Sequence, residues 1–514
     1  MRFLCFLMFI ITLQQFATAQ YKEQWRPQFH FSPPTQWMND PNGMFYYEGE
    51  YHLFYQYYPD GNTWGPMHWG HAVSKDMMYW QHLPIALYPD SLGYIFSGSA
   101  VVDLNNTSGL GQNNQPPIIA IYTYHNMPGE KAGRTDFQYQ GIAYSYDKGR
   151  TWKKYEKNPV LPNTTGIKDF RDPKVMWHEK TKRWIMTLAV KDHVEFWTSP
   201  NLLLWTYSSS FGKELGAHGG VWECPDLFPM QVKETGEKYD VLLVSINPGG
   251  PNGGSATQYF VGAFDGEKFT LHPSHQNKQP VWLDYGRDNY AGVTWNNIPA
   301  ADGRRLFIGW MSNWDYAQVV PTTVWRSAMT LPRSLSLHKL NNLYRLQASP
   351  VKETAQLREQ FEATELSELT GSVDLTPRSI QPQQSEWVIE AELTDATTET
   401  LYLQFSNAQN ETYTVGYDVK KNHYFSNRTK AGTHSFSEKF APGIHIAPHV
   451  INSKRIRLHV FIDASSVELF ADDGFTCITD LLFPSTPFNK VELIVKGGKL
   501  KMHSIAAYGI NRIW

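Results

Sequence analysis

The run Trp37-Met38-Asn39-Asp40-Pro41-Asn42-Gly43 opens onto Met44 to Tyr47 and then, across Glu48-Gly49-Glu50, onto Tyr51 to Tyr57. These are two aromatic, strand-forming runs joined by a tight polar turn, which is how a β-hairpin reads. The arrangement returns. Asp172-Pro173 leads into Lys174 to Trp177 and then Arg183 to Val190. Pro225-Asp226 leads into Leu227 to Val232 and then Tyr239 to Ile246. Asn289-Tyr290 leads into Ala291 to Trp295 and then Arg305 to Trp310. A second half recurs too: Gly70 to Ser74 runs on to Trp80, Gly141 to Ser145 to Trp152, Glu195 to Ser199 to Trp205, and Phe260 to Phe264 to Phe269. Each is a strand, a polar turn, and an aromatic opening an outer strand. Repeated units of four short strands predict a β-propeller. A further unit across Tyr94 to Trp152 makes five blades between about residues 25 and 345.

The character changes after about residue 345, since 16 of the 18 tryptophans lie before that point and only Trp387 and Trp514 follow. Strands continue with cleaner alternation at Trp387 to Leu393, Thr400 to Phe405, Tyr413 to Tyr417, Arg455 to Ile462, Ser466 to Phe470, Lys490 to Val495 and Ile505 to Tyr508. Short antiparallel runs of this kind predict a β-sandwich, with polar Ser349 to Gln384 as the transition. The expected plan is all-β: a signal peptide over 1–19, a five-bladed propeller over 20–345 and a C-terminal β-sandwich over 346–514. The signal peptide reads from Arg2, the apolar core Phe3 to Leu13, too short to span a bilayer, and the cleavage site Ala17-Thr18-Ala19. It predicts a secreted or periplasmic protein.

The charged fraction is 18% and the net charge −3, without clustered Lys and Arg, which argues against nucleic acid or an anionic membrane as partner. No later stretch has the ~20 apolar residues of a membrane span. Beyond the leader only Cys224 and Cys477 remain, which is no disulfide framework. His68 and His71 resemble a metal pair, but at i and i+3 on a strand they face opposite ways. Gly249 to Gly254 lacks the lysine and helix of a phosphate loop. No cofactor or metal is expected.

Three acids stand out: Asp40, Asp172 and Glu223, each opening a strand-rich unit in aromatic company. An Asp before Pro also serves turns. In a propeller, however, inner-strand starts converge on the central channel, so the three acids would meet in one sugar-sized pocket. A glycosidic bond is cleaved most simply by two carboxyl groups, a nucleophile or base and an acid, with a third to stabilise the transition state. Glu223, flanked by Trp222, Cys224 and Pro225, is expected to be desolvated and so to be the proton donor. Asp40, among Asn39, Asn42 and Gly43, is expected to stay ionised as nucleophile. Asp172, beside Arg171, is expected to be a fixed charge or hydroxyl acceptor.

The segments Trp37 to Gly43, Phe170 to Val175 and Trp222 to Phe228 resemble the three signature segments of glycoside hydrolase family 32, the invertases, inulinases and levanases. The similarity extends through Tyr51 to Tyr57, Trp64 to His71, Phe96 to Ser99, Asp284 to Asp288 and Phe461 to Phe470. The resemblance implies a five-bladed propeller with a β-sandwich and retaining hydrolysis of β-fructofuranosides. It matches Asp40 to the nucleophile, Glu223 to the acid/base and Asp172 to the transition-state stabiliser. Asn39, Gln56, Trp64, Phe96, Ser97, Arg171 and Trp310 match fructose-pocket positions. The expected activity is release of terminal β-D-fructofuranosyl units from fructan (levan or inulin), with sucrose as a lesser substrate. An endo-acting levanase or inulinase and a fructosyltransferase would use the same acids. A fructan-binding protein without catalysis would be expected to lack Asp40 or Glu223, and both are present. Linkage preference and oligomeric state stay open.

Overall fold

A computed structural model describes residues 21–113, 115–276 and 279–514; the expected signal peptide lies outside the described residues. The repeat read from the sequence becomes five sheets, each built on four antiparallel strands. Blade one holds Gln36–Tyr47, Glu50–Tyr58, His68–Ser74 and Gln81–Leu87. Blade two holds Tyr94–Val102, Ile118–His125, Gln138–Ser145 and Lys153–Lys154; blade three holds Phe170–His178, Arg183–Val190, His193–Ser199 and Thr206–Phe211. Blade four holds Val221–Gln231, Lys238–Asn247, Ala256–Phe264 and Phe269–Leu271; blade five holds Tyr290–Thr294, Arg305–Met311, Arg333–Leu340 and Leu343–Pro350. The first strand of each blade touches the first strand of the next, and the fifth closes on the first. The short strand Trp325–Arg326 adds in parallel to Gln36–Trp37, so the end of the propeller clasps its beginning.

Alternation along the strands sends apolar side chains between the blades. One core cluster joins blades three and four around Phe196, Trp222 and Phe260; others join blades two and three, and one and two. The opening motif needs its glycine. Gly43 sits at φ +58°, and a Cβ there would lie 2.5 Å from the Trp69 ring.

Past Pro350 a single 3-10 turn, Lys352–Leu357, leads into two stacked sheets, the predicted sandwich. All seven strands read there from alternation are present. The segment Ser349 to Gln384 is more than a transition: Arg358–Ala363 and Glu368–Leu369 edge one sheet and Ser372–Asp374 edges the other. Thr476–Leu481 and His423–Lys430 were not legible as strands, because His423–Lys430 turns Ser426 and Arg428 inward rather than apolar residues. These two polar groups are satisfied by Asp480 and Asp288.

The sandwich is welded to the propeller. Asp284 to Asp288 lies along strand Thr476–Leu481, with backbone bonds from Tyr285 N to Cys477 O (2.8 Å) and Asp288 N to Thr479 O (3.0 Å). Among the described residues no helix is long and apolar enough to cross a membrane.

Candidate active site

All five innermost strands break register at the same level, and each break leaves out two residues. The residues left out are Asn39-Asp40, Phe96-Ser97, Asp172-Pro173, Cys224-Pro225 and Ala291-Gly292. A bulge releases its residues from the ladder and re-aims their side chains, here at the mouth of the channel. Asp172, Cys224 and Ala291 are equivalent positions, and all three adopt left-handed backbone, with φ of 64°, 45° and 53°. Such conformations cost about 1–3 kcal/mol each in non-glycine residues and persist where the fold enforces them. The recurrent Asp-Pro and Cys-Pro dipeptides mark these bulges, since a proline gives up a ladder donor at no cost there.

The residue before the bulge is Arg171 in blade three, Glu223 in blade four and Tyr290 in blade five. This equivalence makes a row across neighbouring blades. Arg171 Nε and Nη2 donate to Glu223 Oε1 at 3.1 and 3.0 Å, and the Tyr290 hydroxyl donates to Glu223 Oε2. Burial, reinforced by Glu223, pushes the Tyr290 hydroxyl well above its ordinary value, so it stays a donor. Arg171 also reaches Asp169 (2.6 Å) and Gln138 Oε1 (3.3 Å). The expected apolar surroundings of Glu223 are therefore not found at its carboxyl group. Trp222 points to the opposite face, into a core cluster, and Cys224 turns its thiol toward Asp40 and Asp172, while Glu223 points at a guanidinium and a phenol.

Asp40 accepts hydrogen bonds from Ser97 Oγ (2.7 Å) and Asn39 Nδ2 (3.0 Å). Asp172, 6% exposed, accepts from the Cys224 amide at 3.1 Å. The Cys224 thiol lies 3.6 Å from both Asp40 Oδ2 and Asp172 Oδ2, so three blades meet at one sulfur. Both acids are shifted upward from their ordinary value, against the expectation that local hydrogen bonds and Arg171 would hold them low. Burial raises Asp40, with Glu223 adding to the effect, against the hydrogen bonds from Ser97 and Asn39. Burial likewise lifts Asp172 to about 7; Arg171 opposes this, and Glu223 and Asp40 reinforce it. One guanidinium does not neutralise three carboxylates in a desolvated site.

These groups line a cavity of about 300 Å³ together with Asn39, Gln56, Trp64, Phe96, Ser97 and Arg171. Gln56 is buried and its Nε2 has no hydrogen-bond partner among the described residues, so its donor is free for a ligand. Trp64 packs edge-on to Phe96, and His125 stacks on Phe96 at 4.3 Å. Trp310 is the exception among the expected residues. It is fully buried beneath Trp37 and Trp314, and it is Trp314, four residues on, that reaches the wall. The wall also contains residues that sequence reasoning missed: His125, Glu130, Phe137, Gln138, Lys168 and Asp169. Glu130 arrives on a one-turn helix, Met127–Lys131, capped by Asn126, and binds His125 Nε2 at 3.0 Å. Asn126-Met127-Pro128 carries a helix-start signal, an Asn before a Pro in the first turn, that could have placed this turn.

Below the acids the channel is closed. Lys174 Nζ pairs with Asp226 at 3.2 Å, and Asn296 Nδ2 bridges Ala100 O and Val175 O on two other blades. The cavity is thus blind. No group of three His, Cys, Asp or Glu among the described residues is disposed to hold a metal ion. His71 instead meets His52 at 3.0 Å in a buried stack, while His68 bonds Pro66 O.

A propeller whose channel mouth gathers carboxylates from separate blades around a sugar-sized, amide-lined pocket defines a glycoside hydrolase. Family models describe both halves: the N-terminal domain of glycosyl hydrolases family 32 matches residues 30–350, and the C-terminal region of that family matches 353–509. The levanase of Bacillus subtilis (strain 168) is 46% identical over 508 residues, covering 97% of this chain and 72% of that protein. An extracellular exo-inulinase of Aspergillus niger is 38% identical over 521 residues, covering 96% of each. The crystal structure of exo-inulinase from Aspergillus awamori superposes with a TM-score of 0.87 at 35% identity, covering 96% of this chain and 100% of that one. The chain belongs to glycosyl hydrolase family 32.

Proposed function

We propose that the protein is a retaining β-fructosidase that removes terminal β-D-fructofuranosyl units from levan- or inulin-type fructans, with sucrose as a lesser substrate. The observation that carries this reading is the cavity of about 300 Å³ in which Asp40, Asp172 and Glu223 meet above the Lys174–Asp226 plug, a volume suited to a terminal sugar unit. The levanase and exo-inulinase relatives support the substrate class.

In this reading Asp40 attacks the anomeric carbon of the bound fructosyl unit. Glu223 gives its proton to the departing glycosidic oxygen, and the shortened chain leaves as an alcohol. A water then loses a proton to Glu223 and attacks the same carbon, which releases fructose and frees Asp40. The bonds from Arg171 and Tyr290 hold the Glu223 carboxyl group in place for both proton transfers. Asp172 accepts hydrogen bonds from fructose hydroxyls, and the free Gln56 amide donates one. The propeller is the catalytic unit and the sandwich packs against it. The chain is exported after loss of residues 1–19, in keeping with the extracellular exo-inulinase relatives.

The test is a time course of products from levan, inulin and sucrose. Free fructose alone from the first time point is the expected result, and the relative rates name the linkage. A ladder of oligosaccharides would replace exo by endo action, fructosylated products longer than the substrate would make it a transferase, and no release from any of the three would overturn the reading.

A further inference from the structure

The opposite end of the propeller holds a second cavity, of about 410 Å³. It lies where the innermost strands of blades two, three and four end, and where blade five turns outward after Thr294. Along Phe170–His178 the rise from Asp172 to Trp177 is about 17 Å at about 3.3 Å per residue, and the Lys174–Asp226 pair with Asn296 stands between. The two cavities therefore share strands but do not communicate.

The far cavity is built for a ligand in three respects. The guanidinium of Arg305 lies on its wall over the Phe228 ring, 4.8 Å from the centroid; the Asp226 carboxylate of the plug attracts it, but it donates no hydrogen bond among the described residues. Asn296 and Asn297 spend their Nδ2 groups on backbone carbonyls, Asn296 on Ala100 and Val175, and Asn297 on Tyr46 at 2.8 Å. That fixes their orientation and leaves both Oδ1 atoms free to accept. Half-buried Trp177 and exposed Asn105 complete the rim. A simple anion would satisfy Arg305 but meet two amide oxygens that repel it. An apolar ligand would leave all three groups unpaired. Hydroxyl groups, which donate and accept at once, satisfy both kinds of partner, and a sugar ring offers a C–H face to the indole. The catalytic pocket uses the same partners: a guanidinium, side-chain amides and a tryptophan. The far cavity differs in that no carboxylate lines it.

We propose that this far cavity is a second, non-hydrolytic binding site for a neutral oligosaccharide segment, one that holds the polymeric substrate while the opposite mouth works on chain ends. It rests on the fructan reading above. The consequence is an affinity for polymer that does not pass through the catalytic pocket.

The experiment is affinity electrophoresis of the full-length protein through gels containing levan or inulin, with fructose at a concentration that saturates the catalytic pocket. Three proteins are run: wild type, Arg305→Gln and Asn105→Ala. Asn105 is exposed and its side chain makes no hydrogen bond among the described residues, so its replacement leaves the fold alone. Wild type should be retarded in spite of the fructose. Arg305→Gln should lose about tenfold in apparent affinity, the size of one charge-assisted hydrogen bond, and Asn105→Ala a smaller amount. Both should keep kcat/KM on sucrose within about twofold of wild type, since sucrose is too small to bridge the two sites. Wild type that runs unretarded in fructose, or two variants retarded as fully as wild type, would overturn the site. Neither result touches the fructan reading, which stands or falls on fructose release in the same preparation.

Discussion

The molecule holds two concentrations of buried charge, and they are resolved in opposite ways. At the channel mouth Asp40, Asp172 and Glu223 crowd around a single guanidinium, Arg171, and the acids are left short of compensation: burial raises Asp40, and Asp172 sits at about 7. At the seam between propeller and sandwich, acids just as buried are matched. Arg333 bonds Asp284 (2.8 Å) and Glu468 (2.6 Å), Arg428 bonds Asp288 (2.6 Å), and His445 bonds Asp480 (2.8 Å). His30 stands between Asp463 (2.8 Å) and Glu468 (2.9 Å). Burial works against the charge on Asp480, Glu468 and His30, yet their partners win. Asp480 is held at about 2 by His445 and Arg428, and His30 is pushed up to about 9 by Asp463 and Glu468. The lesson is that burial alone does not set the charge state; the count and placement of counter-charges does. The seam uses its partners to hold two domains together, and the pocket leaves its carboxylates short of them, as the proposed catalytic role requires.

The sharpest way to break this contrast is to remove one acid from the pocket. Asp40→Ala should lower kcat by on the order of 10³ or more, while the melting temperature stays level or rises. A fall in melting temperature as large as that of a core variant would place Asp40 in the structural class with the seam. Next in size is Arg333→Met, which strands Asp284 and Glu468 in the interior. It should cost about 3–5 kcal/mol in denaturant unfolding while the surviving folded fraction keeps its KM. A loss under about 1 kcal/mol would mean the seam is not the rigid weld that its bonds describe.

The two regions also differ in how they answer pH. Asp172 has a folded value near 7 against an ordinary 3.8, so its contribution to stability worsens as pH rises through that interval. Asp172→Asn should therefore raise the melting temperature at pH 7.5 by about 3 °C or more, and by little at pH 4. His30 has the opposite sense. Its folded value of about 9 exceeds the ordinary 6.5, so its stabilisation is complete below about 6.5 and is lost as pH rises through 9. Wild type should lose melting temperature between pH 7 and 9.5, and His30→Gln should flatten that limb. The smallest effect concerns the tryptophan pair. Trp314→Ala should raise KM about fivefold with unfolding unchanged, whereas Trp310→Ala should show its cost in stability first.

Much of this was legible in one dimension because the propeller is a repeat. Asp40-Pro41, Asp172-Pro173 and Pro225-Asp226 announce equivalent turns, and equivalence in a closed ring means convergence. What misled was reading an environment from sequence neighbours. Trp222 flanks Glu223 in the chain, but the strand sends it into the core; Cys224 turns its thiol to Asp40 and Asp172, and the groups that bind the Glu223 carboxyl group come from blades three and five. Trp310 against Trp314 is the same error in miniature. Tyr290 was visible as the start of blade five, yet nothing in one dimension says that its hydroxyl meets an acid 67 residues away. In the sandwich, His423–Lys430 escaped because its inward residues are polar, and a polar inward face is only sensible once Asp480 and Asp288 are seen to oppose it.

By itself, then, the sequence determined the all-β class, the five-fold repeat, the sandwich and the three carboxylates that belong together, because strand periodicity and turn chemistry are local and survive in one dimension. Only the tertiary structure decided which groups those carboxylates meet, which tryptophan faces the pocket, that the channel is plugged beneath the acids, and that a second cavity lies beyond the plug. Each of these depends on groups brought together from separate blades, and electrostatics and packing act through space, not along the chain.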